Sequence, residues 1–465
     1  MASFVALCIL LGAGHLLRSR IKLLARLYLP SCVVAGLSGL IIIQAFAAMA
    51  GLSESANKIS SLLAEWSAPW QILPAFLINI VFACLFLGFE LPGLATITKR
   101  AGPQLVYGQI VAWGQYVVAI GLWLLVLARF FPTLPSMFAA VLPVGFEGGH
   151  GTAAGMGPVF EYYNWAAGKD LALTSATFGV LSAIIVGMVL VNWAVRRGHL
   201  ENPPTDRLTR GVNSAGLINI DKRPSAGKLT VNSDVIETFS LHIVFVGIAI
   251  GLGYAARSVL VGIENYVPWI SKHRLLSGFP LFPLCMLGGL VVQIIEQRFD
   301  KGRIIDIGMT RRIQNAALDF LVVAAIATIK LKVVLSAIVP LLILVAAGIA
   351  WNVFCLMYLA RRILPDAWFE RAIAEMGQSM GVTATGLLLL RVVDPKFKSN
   401  AANAFACKQL LHEPIMGGGL WTGMAIPLIA VAGAGRVFVI AAVACLIWLT
   451  IAFLPKLIRR THPPV

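Results

Sequence analysis

A glycine-rich polar run within an apolar part of the chain has the composition of an ion- or anion-binding site. It reads GGHGT at 148–152, and Glu147 directly precedes it. Because each glycine costs about 1 kcal/mol against alanine inside a helix, the run predicts a helix break. A helix that restarts after a break presents unpaired N–H groups with partial positive charge, which attract anions. The candidate substrate contacts here are Gly148, Gly149, His150, Gly151 and Thr152.

A second interrupted run, MGQSMGVTATG at 376–386, has a similar combination of glycines and polar side chains. Its candidate substrate contacts are Gly377, Gln378, Ser379, Gly381, Thr383 and Thr385. For the glycines of both runs, the alternative role is close helix packing, since small residues are enriched where membrane helices touch. His150 either contacts a ligand or caps a broken helix.

Several carboxylates lie in or near apolar segments, where an ionised carboxylate costs on the order of 3 kcal/mol. Such a group persists where it meets a cation, a polar partner or a proton. Glu147, Asp319 and Glu413 are therefore candidate ligands for a cation such as Na⁺. For Asp319 the alternative is a hydrogen bond between helices. Glu375 is either a further candidate or a solvated group at the cytoplasmic edge.

The elements that must position these residues are membrane helices. Of the 465 residues, 58% are hydrophobic and 12% are charged, whereas soluble domains are about 25% charged. The chain is predicted to be an all-α polytopic membrane protein with about eleven transmembrane helices. The net charge of +16 is concentrated in the loops between apolar segments, as the positive-inside rule requires. We therefore expect a lipid bilayer and not nucleic acid as the partner.

Apolar stretches near the roughly 20 residues that a bilayer needs predict the spans. They lie at about 2–17, 28–50, 70–90, 104–130, 172–195, 237–261, 279–296, 314–330, 334–360, 404–433 and 437–455. Residues 135–163 and 369–392 are too interrupted for plain spans and are predicted to be re-entrant hairpins. The segment 51–68 is predicted to be an external loop.

Charge orients the chain. With the N-terminus outside, the loops richest in Lys and Arg face the cytoplasm: 18–26, 91–102, 196–235, 297–313, 361–371 and 396–401. Two five-helix units of opposite orientation then each carry a broken segment before the last helix, which predicts an inverted repeat. The predicted divisions are a first repeat at 1–195, a cytoplasmic linker at 196–235, a second repeat at 236–433, and an extra helix with a basic tail at 434–465.

The motifs resemble those of the sodium:glutamate symporter family. GFEGGHGTAAGMGPVFE (145–161) and SATFG (175–179) resemble its first hairpin and the following helix, and 376–386 resembles its second hairpin. LDFLVVAAIATIKL (318–331) and PIMGGGLWTGMAIPLI (414–429) resemble its eighth and tenth helices. The resemblance implies sodium-coupled symport of glutamate by a homodimer in which one part moves past a fixed scaffold. It also implies the inner membrane of a bacterium.

The chain departs from the family pattern at two predicted site positions. Glu147 stands where a small or hydroxyl residue is usual, and Gln378 stands where a histidine is usual. The alternatives that the residues leave open are a proton-coupled carrier of another organic anion, working through Glu147 and His150, and a membrane-embedded enzyme. The enzyme alternative lacks the HExxH and GxSxG motifs, so we expect a transporter.

Overall fold

The computed structural model describes residues 1–26, 29–50, 53–91, 94–201, 225–273, 276–300, 302–394 and 398–461. All regular secondary structure within these ranges is helical, which confirms the predicted all-α class of membrane protein. Eight helical stretches of the described chain are long and apolar enough to cross a bilayer: Ala2–Arg20, Ser31–Met49, Glu54–Ala83, Ala101–Phe130, Ala167–Arg197, Thr238–Glu264, Ile338–Ile363 and Ala434–Phe453. The total of eleven spans stays a prediction.

The chain forms two compact units, and each draws on both halves of the sequence. Unit 1 comprises Met1–Leu91, Ala154–Tyr162 and Gly211–Val333, and unit 2 comprises Pro92–Ala153, Tyr163–Arg210 and Val334–Val465. The predicted inverted repeats divide the chain differently, at the 196–235 linker, and they stay a prediction. Residues 202–224 of that linker lie outside the described residues.

Unit 1 is a set of helices packed through small residues. Gly14 lies so close to Ala35 that an added Cβ would come within 2.5 Å of the alanine methyl group, and one on Gly288 would come within 2.1 Å of the Ala249 carbonyl oxygen. Such close backbone approach is typical of membrane helix contacts. Its helices are α1 (Ala2–Arg20), α2 (Lys22–Arg26), α3 (Ser31–Met49), α4 (Glu54–Ser67), α5 (Leu73–Ala83), α10 (Gly157–Tyr162), α12 (Thr238–Glu264), α13 (Pro268–His273), α14 (Phe282–Phe299) and α15 (Ile307–Ala327).

Unit 2 contains both interrupted runs. Its helices are α6 (Leu94–Leu122), α7 (Ala128–Phe130), α8 (Val141–Phe146), α11 (Ala167–Arg197), α17 (Ile338–Phe354), α18 (Ala360–Ile363), α19 (Trp368–Ser379), α20 (Thr383–Val393), α21 (Ala401–His412), α22 (Leu420–Ala432) and α23 (Ala434–Thr461). Helix α9 (Gly149–Gly155) begins in unit 2 and ends in unit 1, whereas α16 (Leu331–Ser336) begins in unit 1 and ends in unit 2.

The helix breaks fall where the glycine-rich runs predict them. Helix α8 ends at Phe146 and α9 begins at Gly149, which has a positive φ of 65° that favours glycine. Helix α19 ends at Ser379 and α20 begins at Thr383. Whether these broken segments are re-entrant in a bilayer stays a prediction.

Two predictions from the sequence were wrong. Residues 404–433 do not form one span, because α21 ends at His412 and α22 begins only at Leu420. Gly417 and Gly418 between them have φ values of 61° and 100°, which a continuing right-handed helix cannot accommodate. The loop predicted at 51–68 contains helix α4, whose N-terminus is capped by Ser53 accepting a hydrogen bond from the Ala56 N–H.

Candidate functional site

Three helix breaks meet inside unit 2 and form the candidate site. A Cβ added to Gly149 at the first break would lie 2.7 Å from Val382 Cγ1 and 3.0 Å from the Gly381 carbonyl oxygen, both at the second break. A Cβ added to Gly417 at the third break would lie 3.6 Å from the Glu147 carbonyl oxygen. Helices α20 and α22 begin at the second and third breaks, so their first-turn N–H groups belong to this region.

Glu147 is the buried carboxylate of the first break, with 3% of its surface exposed. Its Oε1 accepts hydrogen bonds from His412 Nε2 at 2.6 Å and from Gln378 Nε2 at 3.1 Å. Its Oε2 is buried and has no hydrogen-bond partner within the described part of the chain. One oxygen of Glu147 is therefore held by the protein, and the other is left for a ligand.

A chain of hydrogen bonds fixes the protonation of His412. The indole of Trp113 only donates, and its Nε1 bonds to Gln109 Oε1 at 3.0 Å. The Gln109 amide therefore directs its Nε2–H group toward His412 Nδ1, 3.2 Å away. A ring nitrogen that accepts carries no proton, so His412 is the neutral tautomer with its proton on Nε2, facing Glu147.

Glu413 is the carboxylate of the third break, and it is half-buried. Its Oε1 accepts hydrogen bonds from Thr383 Oγ1 at 2.8 Å and from Gln409 Nε2 at 2.9 Å. The structure places no Lys, Arg or His within ion-pair distance of it among the described residues. A hydroxyl and an amide thus orient Glu413 without neutralising its charge.

Glu375, in contrast, forms a fully buried ion pair. Lys408 Nζ lies 2.6 Å from Glu375 Oε1, and both side chains are 0% exposed. The other oxygen, Oε2, accepts a hydrogen bond from Gln104 Nε2 at 2.9 Å. The alternative of a solvated Glu375 at the cytoplasmic edge is therefore wrong.

The charges of this connected cluster do not balance. Glu147, Glu375 and Glu413 supply three carboxylates, Lys408 supplies one ammonium, and the hydrogen bonds hold His412 neutral. With all three carboxylates ionised, two negative charges remain without a cationic partner among the described residues. Since isolated charges are costly at membrane depth, this excess favours the binding of cations.

The predicted contacts of the first run lie in this region. His150 is 3% exposed, and its Nε2 lies 3.0 Å from the Thr177 hydroxyl of α11; its role as a ligand contact or a helix cap stays a prediction. Thr152 is fully buried, and its hydroxyl has no hydrogen-bond partner among the described residues. Gly148 lies in the break itself, and Gly149 and Gly151 lie in the first turn of α9. Thr152 is thus the side chain of this run that is available to a ligand.

Of the predicted contacts in the second run, some serve helix packing and others lie at the candidate site. A Cβ added to Gly377 would lie 2.7 Å from Gly386 Cα, so this glycine lets α19 and α20 approach each other. Ser379 is buried, and its hydroxyl lacks a partner within the described chain. Gln378 and Thr383 reach Glu147 and Glu413 respectively. Gly381 lies at the break, and Thr385 is buried in the first turn of α20.

The candidate sodium ligands do not all share a unit. Glu147 and Glu413 lie in unit 2, whereas Asp319 lies in α15 of unit 1 and is exposed there. The described residues include no group of three or more His, Cys, Asp or Glu side chains placed to hold a metal ion. Sodium binding by Glu147, Asp319 or Glu413 therefore stays a prediction.

Sequence reasoning missed Lys408 and His412 as site residues. They stand four positions apart on α21, so they share one helix face. Two ionisable residues at that spacing in an apolar segment were the available signal, because such residues mark functional positions in membrane helices.

The sequence profile described as Sodium/glutamate symporter matches residues 1–399. The chain therefore belongs to the sodium/glutamate symporter family, a family of transporters and not of enzymes, which confirms the resemblance seen in its motifs. The match ends before α21, so Lys408, His412 and Glu413 lie outside it. A comparison with curated proteins finds no match.

Proposed function

We propose that this protein couples the import of glutamate, or of a closely related anionic amino acid, to a sodium gradient. Family membership supports the class of transport. The observation that carries the proposal is the excess of carboxylates over cationic groups at the three helix breaks of unit 2. Sodium ions entering with the substrate would balance Glu147 and Glu413.

The unpartnered polar atoms around the breaks suit an amino-acid substrate. Glu147 Oε2 accepts only, so it is suited to an α-ammonium group or a sodium ion. The hydroxyls of Thr152 and Ser379 can donate to a carboxylate. The N-terminus of α20 adds partial positive charge for a substrate carboxylate.

The transport cycle that we propose is alternating access, in which one part of a homodimeric protein moves past a fixed scaffold in a bacterial inner membrane. The family resemblance supports the dimer, the location and the moving part. The broken helices support a solute site of the kind that secondary transporters use.

A second candidate is a proton-coupled carrier of another organic anion. The observation in its favour is the 2.6 Å contact between Glu147 and His412, since a carboxylate and an imidazole can share an added proton. Against it, Gln109 donates to His412 Nδ1 and blocks the atom that a second proton would take.

Uptake into proteoliposomes distinguishes the two candidates. We expect accumulation of radiolabelled glutamate under an inward sodium gradient, with no accumulation under a proton gradient imposed with choline as the only other cation. Accumulation driven by the proton gradient alone would establish the second candidate instead.

Glu147→Gln tests the role of the buried carboxylate in the same assay. We expect a weaker dependence of uptake on sodium, because the variant removes one of the two unbalanced charges. Substrate binding at saturating sodium should change less. Wild-type sodium and pH dependence in this variant would show that Glu147 takes no part in coupling.

A further inference from the structure

Lys408 occupies a position with the features of a site for a small cation. Its Nζ lies 2.6 Å from Glu375 Oε1, 2.9 Å from Gln409 Oε1 and 3.2 Å from Gln378 Oε1. An ammonium has three N–H donors, and each finds an oxygen here. The three oxygens thus surround a single positive charge that is completely buried.

The surroundings of this ion pair are closed. A Cβ on Gly108 of α6 would lie 2.4 Å from Lys408 Cε and 2.6 Å from Glu375 Oε1. Only a glycine therefore allows α6 to cover the pair at its present distance. Because Gln104 donates a hydrogen bond to the second oxygen of Glu375, both oxygens of this carboxylate have a protein partner.

The ammonium also decides which way two amides face. Since Lys408 can only donate, both Gln378 and Gln409 must turn their oxygens toward it. Their NH₂ groups then point the opposite way, toward Glu147 Oε1 at 3.1 Å and Glu413 Oε1 at 2.9 Å. One buried charge thereby orients the donors that hold both unbalanced carboxylates.

We propose that the Lys408 ammonium is a tethered cation, which permanently fills a monovalent-cation site built from Glu375, Gln378 and Gln409. A cation joined covalently to α21 cannot dissociate on either side of the membrane. It neutralises Glu375 without adding to the number of cations that are transported with the substrate. Dissolved cations therefore bind only at Glu147 and Glu413. The consequence for coupling rests on the proposed function, whereas the occupancy of the site does not.

Lys408→Met tests the proposal, because the methionine side chain ends one atom short of Nζ and vacates only the ammonium position. The melting temperature of purified, substrate-free protein is measured in sodium, potassium or choline chloride at equal ionic strength. We expect a lower melting temperature in choline and a rise of about 2 °C or more in a small cation, beyond the wild-type response. Lys408→Met/Glu375→Gln, which removes both charges, should not show this additional rise.

Lys398→Met is the matched control, since Lys398 is an exposed lysine of the same unit, and its cation response should equal that of the wild type. The proposal is overturned if Lys408→Met also responds like the wild type, or if the double variant retains the response of the single one. These measurements need no substrate, so they decide the matter even if the wild type proves not to transport glutamate.

A second readout covers the case in which Lys408→Met does not fold. In the double variant, substrate binding measured in membranes should keep the wild-type apparent number of sodium ions, because the variant loses one charge of each sign. Its apparent sodium affinity should fall, because Gln378 and Gln409 lose the ammonium that orients their amides. A lower apparent number of sodium ions in the double variant would mean that a dissolved ion uses this position, and would overturn the proposal.

Discussion

The two carboxylates Glu375 and Glu413 lie in one hydrogen-bonded cluster but have opposite surroundings. Glu375 is fully buried and meets an ammonium at 2.6 Å. Glu413 is half-buried and, within the part of the chain that the structure describes, its hydrogen-bond partners are a hydroxyl and an amide. The same side-chain type therefore serves as the counter-ion of a lysine in one place and as an unbalanced charge in the other. This difference teaches that burial alone does not identify an ion site, since the partner decides whether a charge is already balanced.

The largest effect that we expect is on stability, from Glu375→Gln. This variant leaves the Lys408 ammonium buried without its counter-ion, which should lower the free energy of unfolding by about 3–5 kcal/mol. Denaturant unfolding of the purified protein measures it. Glu161→Gln, at an exposed position, should change stability by less than about 0.5 kcal/mol. A stability loss as small as that of the control would remove the contrast between the two carboxylates.

Glu413→Gln should act on ion binding and leave stability nearly unchanged. Glu413 has no cationic partner among the described residues, so its removal leaves no buried positive charge unpaired and should not lower stability. Loss of a sodium ligand should reduce the apparent sodium affinity by about 1–3 kcal/mol, or roughly 5- to 150-fold. Sodium-dependent thermal stabilisation measures this affinity. Asp319→Asn is the comparison, because Asp319 is an exposed carboxylate of unit 1. If Asp319→Asn weakens sodium as much as Glu413→Gln does, the sodium site is not the one at Glu413.

Thr152→Val should weaken substrate binding by about 1 kcal/mol, or roughly fivefold. Because the buried hydroxyl has no partner among the described residues, its removal strands no other group, and the substrate-free protein should keep its melting temperature. Titration calorimetry with glutamate at saturating sodium checks the first expectation. An unchanged substrate affinity would assign Thr152 to packing.

The smallest effect concerns pH, and Trp113→Phe reveals it. The variant removes the indole N–H that orients Gln109 and should keep the ring near Trp421, whose centroid lies 4.5 Å away. Gln109 can then turn its oxygen to His412 Nδ1 and allow a second proton there. The added charge would compete with sodium at Glu147, so sodium affinity should fall a few-fold as the pH is lowered.

Wild-type sodium affinity should change little as the pH is lowered, because Nδ1 accepts the hydrogen bond from Gln109. Sodium titrations at several pH values check both proteins. If the wild type shows the same pH dependence as Trp113→Phe, the tautomer argument is wrong, and the proton-coupled candidate gains support.

The sequence by itself determined the membrane class, the family motifs and the positions of two helix breaks. Apolar stretches of membrane length and glycine-rich interruptions are local properties, so 148–152 and 376–386 could be identified without a structure. Local pattern also sufficed for the buried environment of Glu147. It did not suffice for residues 404–433, because the break after His412 depends on two glycines with positive φ in a stretch that otherwise reads as apolar helix.

Only the tertiary structure decided which charges are balanced. Lys408 and Glu375 are 33 positions apart, and His412 and Glu147 are 265 positions apart. No spacing rule relates residues on helices that meet only after folding. The orientation of Gln378, Gln409 and Gln109 likewise follows from donor-only neighbours. These contacts separate a neutralised carboxylate from an unbalanced one, because a charge at membrane depth is defined by the partners that packing brings within hydrogen-bond distance.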